Sequence, residues 1–97
     1  MAVKFDYNQT INQAKLLDEV ANDMQNKCCK KLLEINDNIE AAWSGRSADA
    51  YRKYVTGVSE DLMKKVKYMR DTAEFLRNTA KKMKEADAAA KQAAQSI

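Results

Sequence analysis

No proline and no histidine occur among the 97 residues, and glycine appears only twice, as Gly45 and Gly57. Without histidine the chain has lost the commonest general base and the commonest metal ligand. The only cysteines are the neighbours Cys28 and Cys29. Adjacent residues on a helix point about 100° apart, so this pair neither bridges itself readily nor encloses a metal. Nothing resembles a glycine-rich phosphate loop. The reading is of a protein that is not an enzyme and needs no metal or cofactor. No apolar run approaches the ~20 residues that span a bilayer. The opening Met1-Ala2-Val3-Lys4-Phe5-Asp6 lacks the apolar core and cleavage site of a signal peptide. Any export is therefore expected to use a route that reads no such peptide, with the chain cytoplasmic beforehand.

What is present points to helix. Ala, Lys, Leu, Met, Gln and Glu are plentiful, and these lose little side-chain freedom in a helix. With proline absent there is no residue that would break one from within. Seventeen basic residues against fourteen acidic ones leave a net charge of +3, and the two signs are interleaved. The densest basic stretches, Lys27 with Lys30-Lys31 and Lys81-Lys82 with Lys84, are flanked by Glu34, Asp37, Glu85 and Asp87. Such runs read as solvated helix faces rather than a phosphate-binding patch, so nucleic acid is not an expected partner.

Two segments carry a helical stripe. From about 8 to 42 the apolar positions are Ile11, Ala14, Leu17, Ala21, Met24, Cys28, Leu32, Ile35, Ile39 and Ala42, stepping by threes and fours. Asp6 with Gln9, and Thr10 with Gln13, are competing start signals in which a cap residue is answered three positions later. From about 47 to 94 a second stripe runs through Tyr51, Val55, Val58, Leu62, Val66, Met69, Ala73, Leu76, Ala80 and Met83, close to a heptad repeat. Asp87, Ala90, Ala94 and Ile97 continue it with less apolar character. Gly57 lies off this stripe and gives no reason for its presence.

Between the stripes, residues 43–46 form a break. Gly45 can take the left-handed backbone conformation that ends a helix, and Ser44 and Ser47 are candidate caps for the next one. Trp43, large and flat, can cover the turn against the start of the second helix. A break near the midpoint predicts one domain, 1–97, folded as an antiparallel helix-turn-helix hairpin. Arms of about 50 to 65 Å make a thin rod. Leu16, Val20, Leu33, Tyr54, Met63 and Phe75 flank the stripes and would stay partly wet, so two hairpins are expected to pair as an all-α four-helix bundle. No residue decides between a homodimer and a heterodimer. The stripe serving core and dimer is represented by Ile11, Leu17, Met24, Cys28, Leu32, Ile35, Ile39, Val55, Leu62, Met69 and Leu76. A Cys28 or Cys29 bridge across a homodimer is a further expectation of that geometry.

A chain near one hundred residues with two helical arms around Trp43-Ser44-Gly45 resembles the Trp-x-Gly (WXG) family of type VII secretion substrates, related to the early secreted antigens of mycobacteria. The resemblance covers nearly the whole chain. It implies a small secreted protein, exported as a folded dimer by a bacterial type VII system and acting by protein–protein contact. It also implies that the Trp-x-Gly turn lies near the end of a partner's second helix. Family members carry an export signal late in helix two. Its Gram-positive form, an apolar residue, an acid four later, then apolar positions three and seven beyond, is matched by Met83, Asp87, Ala90 and Ala94. The alternative Tyr-x-x-x-acid form is not matched, because no Tyr follows Tyr68. The partners implied are a second copy or a paralogous hairpin and the secretion ATPase. Two other functions compete: a targeting companion of a larger secreted toxin, and membrane disruption by the amphipathic helices.

Overall fold

The computed structural model describes residues 4–96; Ile97 and the first three residues lie outside the described part. The chain is an all-α hairpin. Helix one comprises α1 (Tyr7–Asp23), a π-helical segment (Met24–Cys29) and α2 (Lys30–Ala42), and helix two is the single α3 (Arg46–Gln95). Asp6 wins the competition to start α1. Its carboxylate accepts the Gln9 backbone N–H at 3.0 Å, and its carbonyl accepts the Thr10 hydroxyl at 2.8 Å, satisfying donors that the first turn leaves free.

The seam between the arms is lined by small side chains. Ala14, Ala21 and Cys29 face Ala48, Val55, Ser59, Val66, Ala73 and Ala80, all buried. Val66 is the largest side chain sealed completely. Val55 and the partly covered Leu62, Met69 and Leu76 keep the heptad step along α3, which a continuous helix maintains without correction. On helix one, Ile11, Leu17, Met24, Leu32 and Ile39 are also partly covered.

Three stripe positions expected alongside them fall elsewhere, one being Ala42, exposed at the end of α2. Cys28 is exposed and its neighbour Cys29 is buried; Ile35 is 38% exposed, while Asn36 is half-buried against α3. The cause is the π segment, where the Lys30 N–H donates to the Gln25 carbonyl, five residues back. Each such turn absorbs one extra residue. The seam step is thus seven from Ala14 to Ala21 but eight from Ala21 to Cys29, so Cys29 and Asn36 replace Cys28 and Ile35 in the seam while Leu32 and Ile39 stay at its edge.

The molecule is a rod. Its extents are 79 × 21 × 16 Å and its radius of gyration is 22.1 Å, against about 12.5 Å for a compact domain of this length. The cross-section is that of two helices side by side. The long axis matches the ~75 Å expected of the 50-residue α3 at 1.5 Å per residue.

Candidate functional site

Three features follow from this geometry: the elbow, the free end of α3, and the two flanks of the seam.

At the elbow, Trp43 leaves the helix with extended backbone (φ −146°, ψ 131°), its N–H donating to the Ile39 carbonyl at 2.8 Å. Gly45 stands at φ +110°, ψ −177° and is the residue that starts α3 rather than the one that ends helix one. This differs from the expected left-handed helix end, and neither Ser44 nor Ser47 caps: the position before Arg46 is Gly45, with no side-chain cap. Extended backbone of positive φ is essentially restricted to glycine. The Trp43 ring lies 6.3 Å from that of Tyr51, tilted by 48°. Tyr51 is in the second turn of α3, so the indole clamps the elbow while keeping 48% of its surface open.

At the other end the arms are unequal. Lys84 places its ammonium 4.4 Å from the centre of the Tyr7 ring, a cation–π contact that marks where helix one begins. Beyond it α3 continues alone for about three turns. Met83 stands at the edge of this free end, and Asp87, Ala90 and Ala94 lie along it, all exposed. They continue the seam's own three-and-four register past the point where the described residues supply an arm to cover it.

The flanks of the seam are chemically unlike. On one side the arms are laced by polar contacts. Arg70 donates to Asn22 at 2.9 Å and to Gln25 at 2.6 Å, Arg77 pairs with Asp18, and Arg52 reaches Glu40 at 3.4 Å. The Asn36 amide donates to the Thr56 hydroxyl at 2.9 Å and to the Arg52 carbonyl at 3.3 Å. Individually such half-exposed pairs contribute little; together they fix which way the arms face. At 100° per residue, Leu16 and Val20 lie across the Ala14–Ala21 line from Asp18 and Asn22. On α3 the partly covered Leu62, Met69 and Leu76 lie on that same side of the seam, and Tyr68 and Phe75, 200° on from Val66 and Ala73, stand further round toward the outer face. This second flank carries Val20, Cys28, Ile35, Leu62, Met69 and Leu76, rimmed by Leu16, Tyr54, Tyr68 and Phe75, and the α3 aromatics of that rim are the most open large apolar groups described, at 67 to 74%.

The polar lacing was not anticipated, although Arg70, Arg77 and Lys84 stand seven apart, as do Asp18 and Gln25. That spacing is the available signal: solvated charges need no period, whereas cross-arm contacts do. Between α2 and α3 lies a groove of about 490 Å³ lined by Asn36, Asp49, Arg52, Lys53, Thr56, Gly57 and Glu60. Asn36 Oδ1 and Arg52 Nε are enclosed beside it without a protein partner. Lys67, fully solvated, has its ammonium held above the ordinary lysine range by the hydrogen bond to Asp71, which has no bearing on the seam. Among the described residues no three potential metal ligands cluster, and no helix is long and apolar enough to cross a membrane.

A family model, WXG100, described as proteins of 100 residues with WXG, matches residues 2–88. The match includes the elbow and the free end as far as Asp87, and stops short of Ala90 and Ala94. No curated protein and no solved structure matches.

Proposed function

The chain belongs to the WXG100 family, small helical proteins associated with type VII secretion, and from that premise we propose that it is exported by such a system as a folded pair of hairpins and acts by protein–protein contact. The observation that carries the pairing is surface. The chain exposes 7791 Å², whereas a compact protein of 11.0 kDa exposes about 5600 Å². The excess of about 2200 Å² falls in the range of roughly 1000 to 2500 Å² that each subunit of a permanent dimer buries. That excess is not spread evenly, because one flank is laced and polar while the other is aromatic and aliphatic. Laying the apolar flank of one hairpin on that of a second copy completes a four-helix bundle with the polar lacing outside. A paralogous hairpin, or a helical domain of a larger secreted toxin, offers the same chemistry; mixed rather than self-paired species on sedimentation would select those.

The free end of α3 supports the second half of the reading. Met83, Asp87, Ala90 and Ala94 form an address that remains accessible in the folded hairpin, so the secretion ATPase can read it without unfolding the cargo. The elbow with Trp43, Ser44 and Gly45 supplies rigidity, and in a pair it would bring the indole near the partner's address. Truncation after Met83 tests this. Removing the free end takes away only the Lys84–Tyr7 contact at its base and none of the buried seam, so helicity per residue and pairing should persist while export in a type VII-competent host stops. Export of the truncated chain at the normal rate would remove the address from these residues.

A further inference from the structure

The π segment is the one irregularity inside either arm, and it sits where the sequence repeats a residue. Cys28 and Cys29 are identical in chemistry and adjacent, so either can fill the same small seam position opposite α3. The stripe beyond offers two complete readings. With the π turn, the seam takes Cys29, Leu32, Asn36 and Ile39. With an unbroken α-helix it would take Cys28, Leu32, Ile35, Ile39 and Ala42, the set that ordinary periodicity picks out. The second set is wholly apolar. The first places Asn36 against α3 with its Oδ1 enclosed and unpartnered, and leaves Ile35 and Cys28 facing out. The single chain holds the first register, in which the Asn36 amide keeps its bonds to Thr56 and the Arg52 carbonyl; slipping to the α register would give these up but cover Ile35, free Asn36 Oδ1 to water and remove the π turn, so the two registers lie close in free energy.

We propose that the π segment is a register switch coupled to pairing: binding a second copy of this chain on the apolar flank selects the π register, because that register alone presents Cys28 and Ile35 to the partner in line with Leu16 and Val20. This rests on the self-pairing proposed above and adds the means by which α2 is aimed. A ligand shifts such an equilibrium only through contacts that one state makes and the other lacks; here those contacts are Cys28 and Ile35. In the unpaired chain the two registers coexist, and pairing carries the population to one of them.

The neighbouring thiols report on it directly. Alkylation by iodoacetamide, mapped by mass spectrometry, reads the seam register, since the seam thiol is shielded and its neighbour is not. The wild-type chain is labelled well below and well above its pairing concentration. The same is done with a variant lacking Asn26, in which loss of one residue removes the π turn while Cys29 keeps its seam position, and with N36L, which fills the seam in the π register. In dilute wild type Cys29 should react within about threefold of Cys28, and pairing should slow both by at least about tenfold. In both variants Cys29 should be shielded at every concentration, with Cys28 alone responding to pairing. Shielded Cys29 in dilute wild type overturns the switch and leaves the pairing intact. Cys29 labelled equally in dilute wild type and both variants signifies general unfolding on dilution, and also overturns it. A thiol pattern independent of concentration, with sedimentation showing only single chains, overturns the pairing itself.

Discussion

The same substitution, glycine to alanine, should have opposite signs at the two glycines. At Gly45 the added Cβ would meet nothing within 4 Å, so no clash enters and the whole effect is backbone. With φ +110° and ψ −177° the residue occupies a region nearly closed to L-amino acids, and holding alanine there costs about 1–3 kcal/mol. At Gly57 the surroundings are equally open, but the residue is in mid-helix. Alanine there should stabilise by about 0.4–1 kcal/mol, by restricting the unfolded chain and improving helix propensity. For a chain of this size each kcal/mol moves the melting midpoint by about 4–8 °C. G45A should therefore melt roughly 5 to 20 °C lower than wild type and G57A a few degrees higher, followed by circular dichroism at 222 nm at one fixed chain concentration. A neutral G45A would mean the elbow relaxes into an ordinary turn and that the glycine of the motif is not required by backbone geometry. A destabilised G57A would mean that the groove beside it is filled in solution.

Asp6→Ala removes the only side-chain cap on α1 and should cost about 0.5–2 kcal/mol, with faster amide exchange at Gln9 as the local readout. Ala73→Leu inserts three carbons into a seam where Ala73 is wholly buried, and should cost about 1–3 kcal/mol. Ala89→Leu on the free end, where the position is exposed, is the matched control and should leave the melt unchanged.

How far the sequence could be read depended on whether the helix stayed regular. Along α3 every turn is α, so counting by threes and fours from Val55 reaches Leu62, Val66, Met69, Ala73, Leu76 and Ala80, and these lie along the seam. Along helix one the same count works as far as Ala21 and then misplaces Cys28 and Ile35, because a periodic count cannot register one residue absorbed by a π turn. The elbow was legible from Gly45, whose rarity marks it; its actual conformation was not, since glycine permits the left-handed helix end and the extended positive-φ state alike. The handedness of the flanks was visible only in retrospect. Lys84 reads in the sequence as solvated charge and Arg70 and Arg77 carry no mark of their own; with Tyr7, Asn22 and Asp18 opposite them the three belong to one laced flank.

Sedimentation equilibrium of the intact chain, beside a V20E/I35E variant, bears most directly on the idea that one greasy flank of this rod is made for another rod. Both substituted side chains are exposed, at 50% and 38%, so the variant should keep its helicity. Wild type should sediment at twice the 11.0 kDa of one chain and the variant at that mass once. Wild type found as single chains at up to about 100 μM, or a variant that pairs as well as wild type, would contradict it.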